Sequence, residues 1–111
     1  MIVRFPFISS RKSDQKARPA LVISDMTISR RYGDLILAAI TSRVPHDPTE
    51  TELILETTPE NGLKTRSCLR LEFLMTIPID LVSRRIGRLT SQEMEQVDLC
   101  IAASIGMKRS G

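Results

Sequence analysis

Up to about residue 90 the chain is a succession of short apolar runs bounded by turn-forming residues, and runs of four to eight residues favour strands over helices. They predict strands at residues 2–7, 20–23, 35–41, 52–55, 67–75 and 85–89. A polar loop at 9–18, a turn region at 25–34 and a proline-bounded loop at 45–48 separate them. A tight turn at 59–62 follows, where Pro59 supplies a fixed φ and Gly62 a position with φ > 0. The pattern changes after Leu89. Thr90 followed three residues later by Glu93 is a capping box, which satisfies backbone N–H groups orphaned at a helix start, so a helix is expected from Ser91. Met94, Val97, Ile101 and Ile105 recur at steps of three and four and form one apolar stripe beside Cys100, with Glu93, Glu95 and Asp98 toward water. Gly106 is the expected C′ stop, followed by Lys108 and Arg109 at the negative end of the helix dipole. The expected fold is mainly β, a small barrel whose mouth or open edge is covered by one C-terminal helix.

A chain of 111 residues is expected to form one domain (1–111), since dividing it would leave two fragments too small for stable cores. No apolar run approaches the ~20 residues of a membrane span, and the amino terminus lacks the clean apolar region of a signal peptide, so a cytoplasmic protein with no membrane association is expected. Cys68, Cys100 and the single His46 cannot supply a four-ligand zinc site. The two cysteines are expected as free core thiols, and no metal or cofactor is expected. Met75, Met94 and Met107 read as core filler, and His46, between Pro45 and Asp47, as exposed.

Charge is unevenly spread. Residues 1–43 carry eight basic and three acidic side chains, a net of +5; residues 44–82 carry −4 and residues 83–111 carry +2. A basic front half suits an anionic partner, because clustered Lys and Arg attract phosphates over roughly 10 Å in physiological salt.

Several segments resemble, in order, those of the MazF/PemK/Kid family of toxin endoribonucleases. FPFISSRKSDQKARPALVIS is similar to the family's first strand, polar loop and Arg-Pro opening of the second strand. LILAAITSR is similar to its third strand, NGLKTRSCLRLEFLMTIPIDLV to its Gly-Leu and Thr-Ile segment, and RRIGRLTSQEMEQVDLCIAASIG to its Ile-Gly-x-Leu junction and closing helix. The resemblance implies an SH3-like barrel of the CcdB/MazF type with a C-terminal α-helix. It also implies a homodimer, a small acidic antitoxin as partner, and metal-independent cleavage of single-stranded RNA to a 2′,3′-cyclic phosphate and a 5′-hydroxyl.

Carried over by position, the resemblance makes Arg18 and Thr41 catalytic, with Ser42, Arg43, Lys16 and Asp14 at the substrate. A second catalytic pair would be Arg70 and Glu72. These are two apart in a predicted strand and so share a face, which also fits a simple surface ion pair. Two other readings stand beside this one. A relative that only binds antitoxin or RNA fits the short start before the first strand and a 9–18 loop without glycine. A CcdB-like gyrase-binding toxin relies on a Trp-Gly-Ile ending, whereas this chain has no tryptophan and ends Met107-Lys108-Arg109-Ser110-Gly111.

Overall fold

The computed structural model describes residues 1–8, 15–25 and 31–107, with backbone only for 5–8 and 15–17. Six strands form one antiparallel sheet: β1 (Ile2–Ile8), β2 (Gln15–Val22), β3 (Asp34–Thr41), β4 (Glu52–Leu55), β5 (Ser67–Pro78) and β6 (Arg84–Gly87), ordered β4-β5-β3-β2-β1-β6. A 3-10 turn at Ile79–Leu81 precedes β6, and α1 (Ser91–Ser104) follows it. The expected mainly β fold with one closing helix is what forms.

Alternation along the strands gives two apolar layers. Ile2, Leu21, Ala38, Ile40, Leu55, Leu69 and Leu71 belong to a larger cluster on the helix side, where Val97 of α1 is fully buried and Met94, Cys100 and Ile101 pack. Val3, Ala20, Val22, Leu35 and Leu37 face the other way, and Met75, Ile77 and Val82 pack against them. The sheet is therefore apolar on both sides: curvature and α1 shield the first layer, and Met75, Ile77 and Val82 cover the second.

Curvature is completed at the turn after β4. There the Arg88 N–H donates to the Glu60 carbonyl at 2.9 Å, joining the turn that leaves one sheet edge to the end of the strand on the other. Gly62, at φ +68°, lies against the Ile86 carbonyl, and Gly87 lies against the backbone of Glu60 and Asn61; a Cβ at either glycine would collide with main chain that cannot move aside. Asn61, 0% exposed, holds the turn from within. Its Oδ1 accepts from the N–H of Thr58 (3.2 Å) and Leu63 (3.0 Å), its Nδ2 donates to the Glu56 carbonyl (2.8 Å), and its own N–H donates to the Thr58 hydroxyl (3.0 Å).

Several expectations change in detail. β2 begins at Gln15, inside the segment read as loop, because pairing with β1 continues to Ile8↔Gln15. Strand pairing is a main-chain interaction and need not leave an apolar signature in the sequence. β1 is paired on both sides over its first residues, with β2 and with β6. β5 runs three residues past Met75, and β6 ends at Gly87. The capping box is present, with Thr90 Oγ1 accepting from Glu93 N at 3.1 Å and Glu93 Oε1 accepting from Thr90 N at 2.8 Å, and Gly106 closes the helix at φ +76°. Ile105, however, is 57% exposed and Met107 63%: the helix ends at Ser104, and neither residue joins the core. Lys108 and Arg109 lie outside the described residues.

Replacing Asn61 with Ala leaves two main-chain donors and one acceptor unpaired and is expected to cost about 2–4 kcal/mol. Gly87→Ala is expected to cost about 2 kcal/mol or more through forced backbone displacement. Urea unfolding of both variants measures this, with Gly106→Ala as a comparison that carries only the cost of its φ of +76°, since nothing lies within 4 Å of a Cβ there.

Candidate functional site at the end of β3

Thr41 ends β3, and the strand ladders fix what surrounds it. It pairs with Cys68; Ala39, two residues earlier, pairs with Arg70; and Arg70 pairs on its other side with Glu52 of β4. Cross-strand partners and residues two apart share a face, so Thr41, Arg70, Glu52 and Glu72 lie on the face away from α1. In the β2–β3 ladder Ala20 pairs with Ala39. That ladder runs from Ala20↔Ala39 to Val22↔Leu37, so Arg18 lies two residues beyond its end. Sheet pairing thus draws together residues distant in sequence from β2, β3, β4 and β5.

The Arg70 guanidinium is held from two sides. Its Nη2 lies 3.7 Å from Glu72 Oε1, and its central carbon sits 5.4 Å from the Phe73 ring centroid. This geometry follows from a register shift: β5 pairs with β3 up to Arg70↔Ala39 and again from Leu74↔Ala38, so residues 71–73 have no partner on β3. Such a bulge re-aims side chains. Both members of the ion pair are about half exposed, which limits its contribution to stability to about 1 kcal/mol or less. Glu52 is occupied differently. Its Oε1 accepts from the Thr49 N–H (2.9 Å) and hydroxyl (3.2 Å), and its Oε2 faces the Cys68 thiol at 3.9 Å.

Two depressions flank the strand end. One, of about 350 Å³, is lined by Thr41, Arg43, Val44, Pro45, Glu52 and Arg70. The other, of about 150 Å³ at the barrel mouth, includes Arg4, Arg18, Ser42, Lys64, Thr65 and Ser67 in its lining. Thr41 and Ser42 are consecutive and turn to opposite sides, so the strand end divides the two. Arg18 and Ser42 are brought together in the smaller depression, and Thr41, Arg43 and Arg70 in the larger, with Glu72 beside Arg70. The Thr41 hydroxyl accepts from the Arg43 N–H at 3.1 Å. Lys16 lies on β2 opposite Phe7, and its side chain is outside the described atoms; Asp14 is outside the described residues. His46 is exposed.

Sequence reasoning did not single out Glu52, Arg4 or Lys64. Glu52 is found only through its pairing with Arg70, and Lys64 only through closure of the barrel. Cations beside hydroxyl groups can grip phosphate oxygens, a guanidinium in a two-pronged fork and a hydroxyl by a single bond. A carboxylate beside them can take a proton. Among the described residues no three His, Cys, Asp or Glu side chains converge to hold a metal ion, and no helix is long and apolar enough to cross a membrane.

Both cysteines are free thiols. Burial, and next the neighbouring Glu52 carboxylate, pushes the Cys68 thiol above its ordinary value of 9.0; burial alone raises Cys100. Above about pH 9 the unfolded chain releases these protons while the folded chain keeps them, so stability present below that pH is lost as pH rises toward the folded values. Cys68→Ala is expected to lose less stability than the wild type between about pH 8 and 10, a difference in slope measured by urea unfolding across that range.

Comparison with known proteins agrees with this architecture. The family model for PemK-like, MazF-like toxins of type II toxin–antitoxin systems matches residues 1–105. A probable endoribonuclease MazF of Mycolicibacterium smegmatis is 28% identical over 92 residues, 83% of each chain. Among solved structures, the Mycobacterium tuberculosis toxin MazF-mt6 superposes with a TM-score of 0.77 at 21% identity, over 98% of this chain and all of that one. A mycobacterial endoribonuclease in complex with its cognate antitoxin gives 0.75 at 18% identity, over 97% and 93% of the two chains. The MazE–MazF complex of Deinococcus radiodurans gives 0.72 at 16% identity, over 96% and 93%. With a match over nearly its whole length, the chain belongs to the PemK-like, MazF-like toxin family of type II toxin–antitoxin systems.

Proposed function

We propose that this toxin is an endoribonuclease that cleaves single-stranded RNA at selected sequences without a metal, works as a homodimer in the cytoplasm, and is neutralised by a small acidic antitoxin. The observation that carries the reading is that Thr41, Arg70 and Glu72 gather at one strand end, with Arg18 in the depression beside it, in a chain of this family. The relatives named endoribonuclease, and those solved with an antitoxin, support it.

The chemistry needs only groups of the chain. The ribose 2′-oxygen attacks the adjacent phosphorus, its proton passes to the Glu72 carboxylate, the bond from phosphorus to the 5′-oxygen breaks, and that oxygen leaves as a hydroxyl with a proton from the site or from water. The products are a 2′,3′-cyclic phosphate and a 5′-hydroxyl end. A guanidinium is a poor proton donor, so Arg18 and Arg70 act by stabilising the extra negative charge on the five-coordinate phosphorus rather than as acids. Thr41 holds the reacting group by a hydrogen bond. An acidic antitoxin would compete for the same cations, and both complexes should weaken with salt.

Incubation of the purified protein with a long single-stranded RNA in EDTA, followed by mapping of fragment ends, tests the reading. Discrete cuts with cyclic phosphate ends are expected. Arg18→Ala and Thr41→Ala should each lower the rate about 10²-fold or more, and Glu72→Gln about 10²–10⁴-fold. Intact RNA at high protein concentration would instead establish a relative that only binds antitoxin or RNA.

A further inference from the structure

Apart from Arg18, the smaller depression at the barrel mouth is lined by residues that the reaction above does not use. Arg4 comes from β1, Arg18 from the β2 segment beside it, and Lys64 from the turn that closes the barrel, with the hydroxyls of Ser42, Thr65 and Ser67 between them. No acidic residue lines it. The larger depression differs, since Glu52 is part of its wall and Glu72 is paired with its Arg70.

Lys64 is the informative member. It follows Leu63, which is buried in the core, and lies two residues past Gly62, which is pressed against β6. Its backbone is therefore fixed, while its side chain is exposed and forms no ion pair among the described residues. Arg66, two residues on, is instead matched with Glu56 at 2.8 Å. The fold thus places one loop cation at the mouth of a cation-lined depression and neutralises the next.

We propose that this depression is a subsite for a backbone phosphate next to the one cleaved, and that Lys64 is an RNA-binding residue of the toxin. The proposal rests on the endoribonuclease reading. Thr41 and Ser42 face opposite sides of one strand end, so an RNA strand crossing that end presents one phosphate to the Thr41–Arg70 side and a neighbouring phosphate to Ser42, Arg4 and Lys64. A lysine suits this second role, as a mobile point charge that follows a backbone without dictating its geometry. Lys64 binds substrate and takes no part in bond breaking.

The test uses the full chain as wild type, Lys64→Ala, Lys64→Arg and Arg66→Ala. The probe for binding is a 2′-O-methyl RNA oligonucleotide, which lacks the attacking hydroxyl, titrated over a range of salt. One lost phosphate contact lowers the slope of log affinity against log salt by about 0.7 on a single strand. Lys64→Ala is expected to show that drop, with a several-fold rise in KM for cleavage, kcat within about twofold of wild type and an unchanged Tm. Lys64→Arg restores the slope and Arg66→Ala leaves it unaltered. A wild type that cleaves RNA beside a Lys64→Ala variant with unchanged slope and KM would overturn the subsite and leave the endoribonuclease reading intact. A wild type that binds the oligonucleotide with the Lys64-dependent slope, yet cuts no RNA, would uphold the subsite and overturn the catalytic reading. Unchanged RNA binding with weakened binding of a poly-glutamate peptide would overturn the proposal in favour of an acidic-peptide site.

Discussion

The contact between the turn after β4 and the end of β6 is the constraint on which the rest of the molecule depends. A six-stranded sheet with apolar side chains on both faces is unstable as an open ribbon, because one face or the other stays wet. Here the two edges are brought together by main chain touching main chain, which is possible only because residues 62 and 87 are both glycine. The buried Asn61 amide supplies the hydrogen bonds that strand pairing cannot supply at a turn. Leu63 and Leu89, which flank the contact, enter the same core as Val97 of α1. Closure, core and helix docking are thus one cooperative arrangement.

The site is a by-product of that closure. Its cations come from four separate stretches of chain, and gathering Arg4, Arg18 and Lys64 around one depression works against their mutual repulsion. Solvent exposure keeps that cost small, and a bound polyanion removes it. A surface of this kind gains more from a phosphate backbone than from a neutral ligand, in keeping with a toxin that acts on nucleic acid.

Much of the fold was legible in the sequence, for reasons that differ by element. The helix was legible to the residue at its start, since Thr90 and Glu93 encode a local interaction that no tertiary contact needs to supply. Strand positions were legible wherever alternation reflected a core on one side. They failed at the first residues of β2, where pairing with β1 carries no apolar signature, and at the last three residues of β5, where pairing with β3 runs on to Pro78. Ile105 and Met107 kept the helical spacing after the core had run out, so periodicity alone overstated burial. The structural weight of Asn61 was hidden because a Pro-Glu-Asn-Gly turn reads as an ordinary exposed one. At the site, Arg18, Thr41, Arg70 and Glu72 could be named from family resemblance, and Arg70 with Glu72 also from strand period. Glu52 and Lys64 could not be named, since their significance lies in long-range pairing with Arg70 and in closure onto β6, which one sequence does not display.

Arg70 and Lys64 show why two kinds of cation belong in one site. Arg70 is fixed before any ligand arrives, with Glu72 at its edge, Phe73 beneath it and Glu52 across the strand. Charge that appears only in a transition state is best met by groups already in place, because reorganisation at that moment adds to the barrier. A carboxylate partner weakens such a group as a simple anion magnet while improving its alignment. Lys64 has no such partner among the described residues, and its four-carbon stem samples many positions, which favours capture of a flexible backbone over alignment of a reacting atom. On the function proposed above, paired charge at the reacting phosphate and unpaired charge beside it would divide the work: the first would set the chemistry and the second how long the RNA stays.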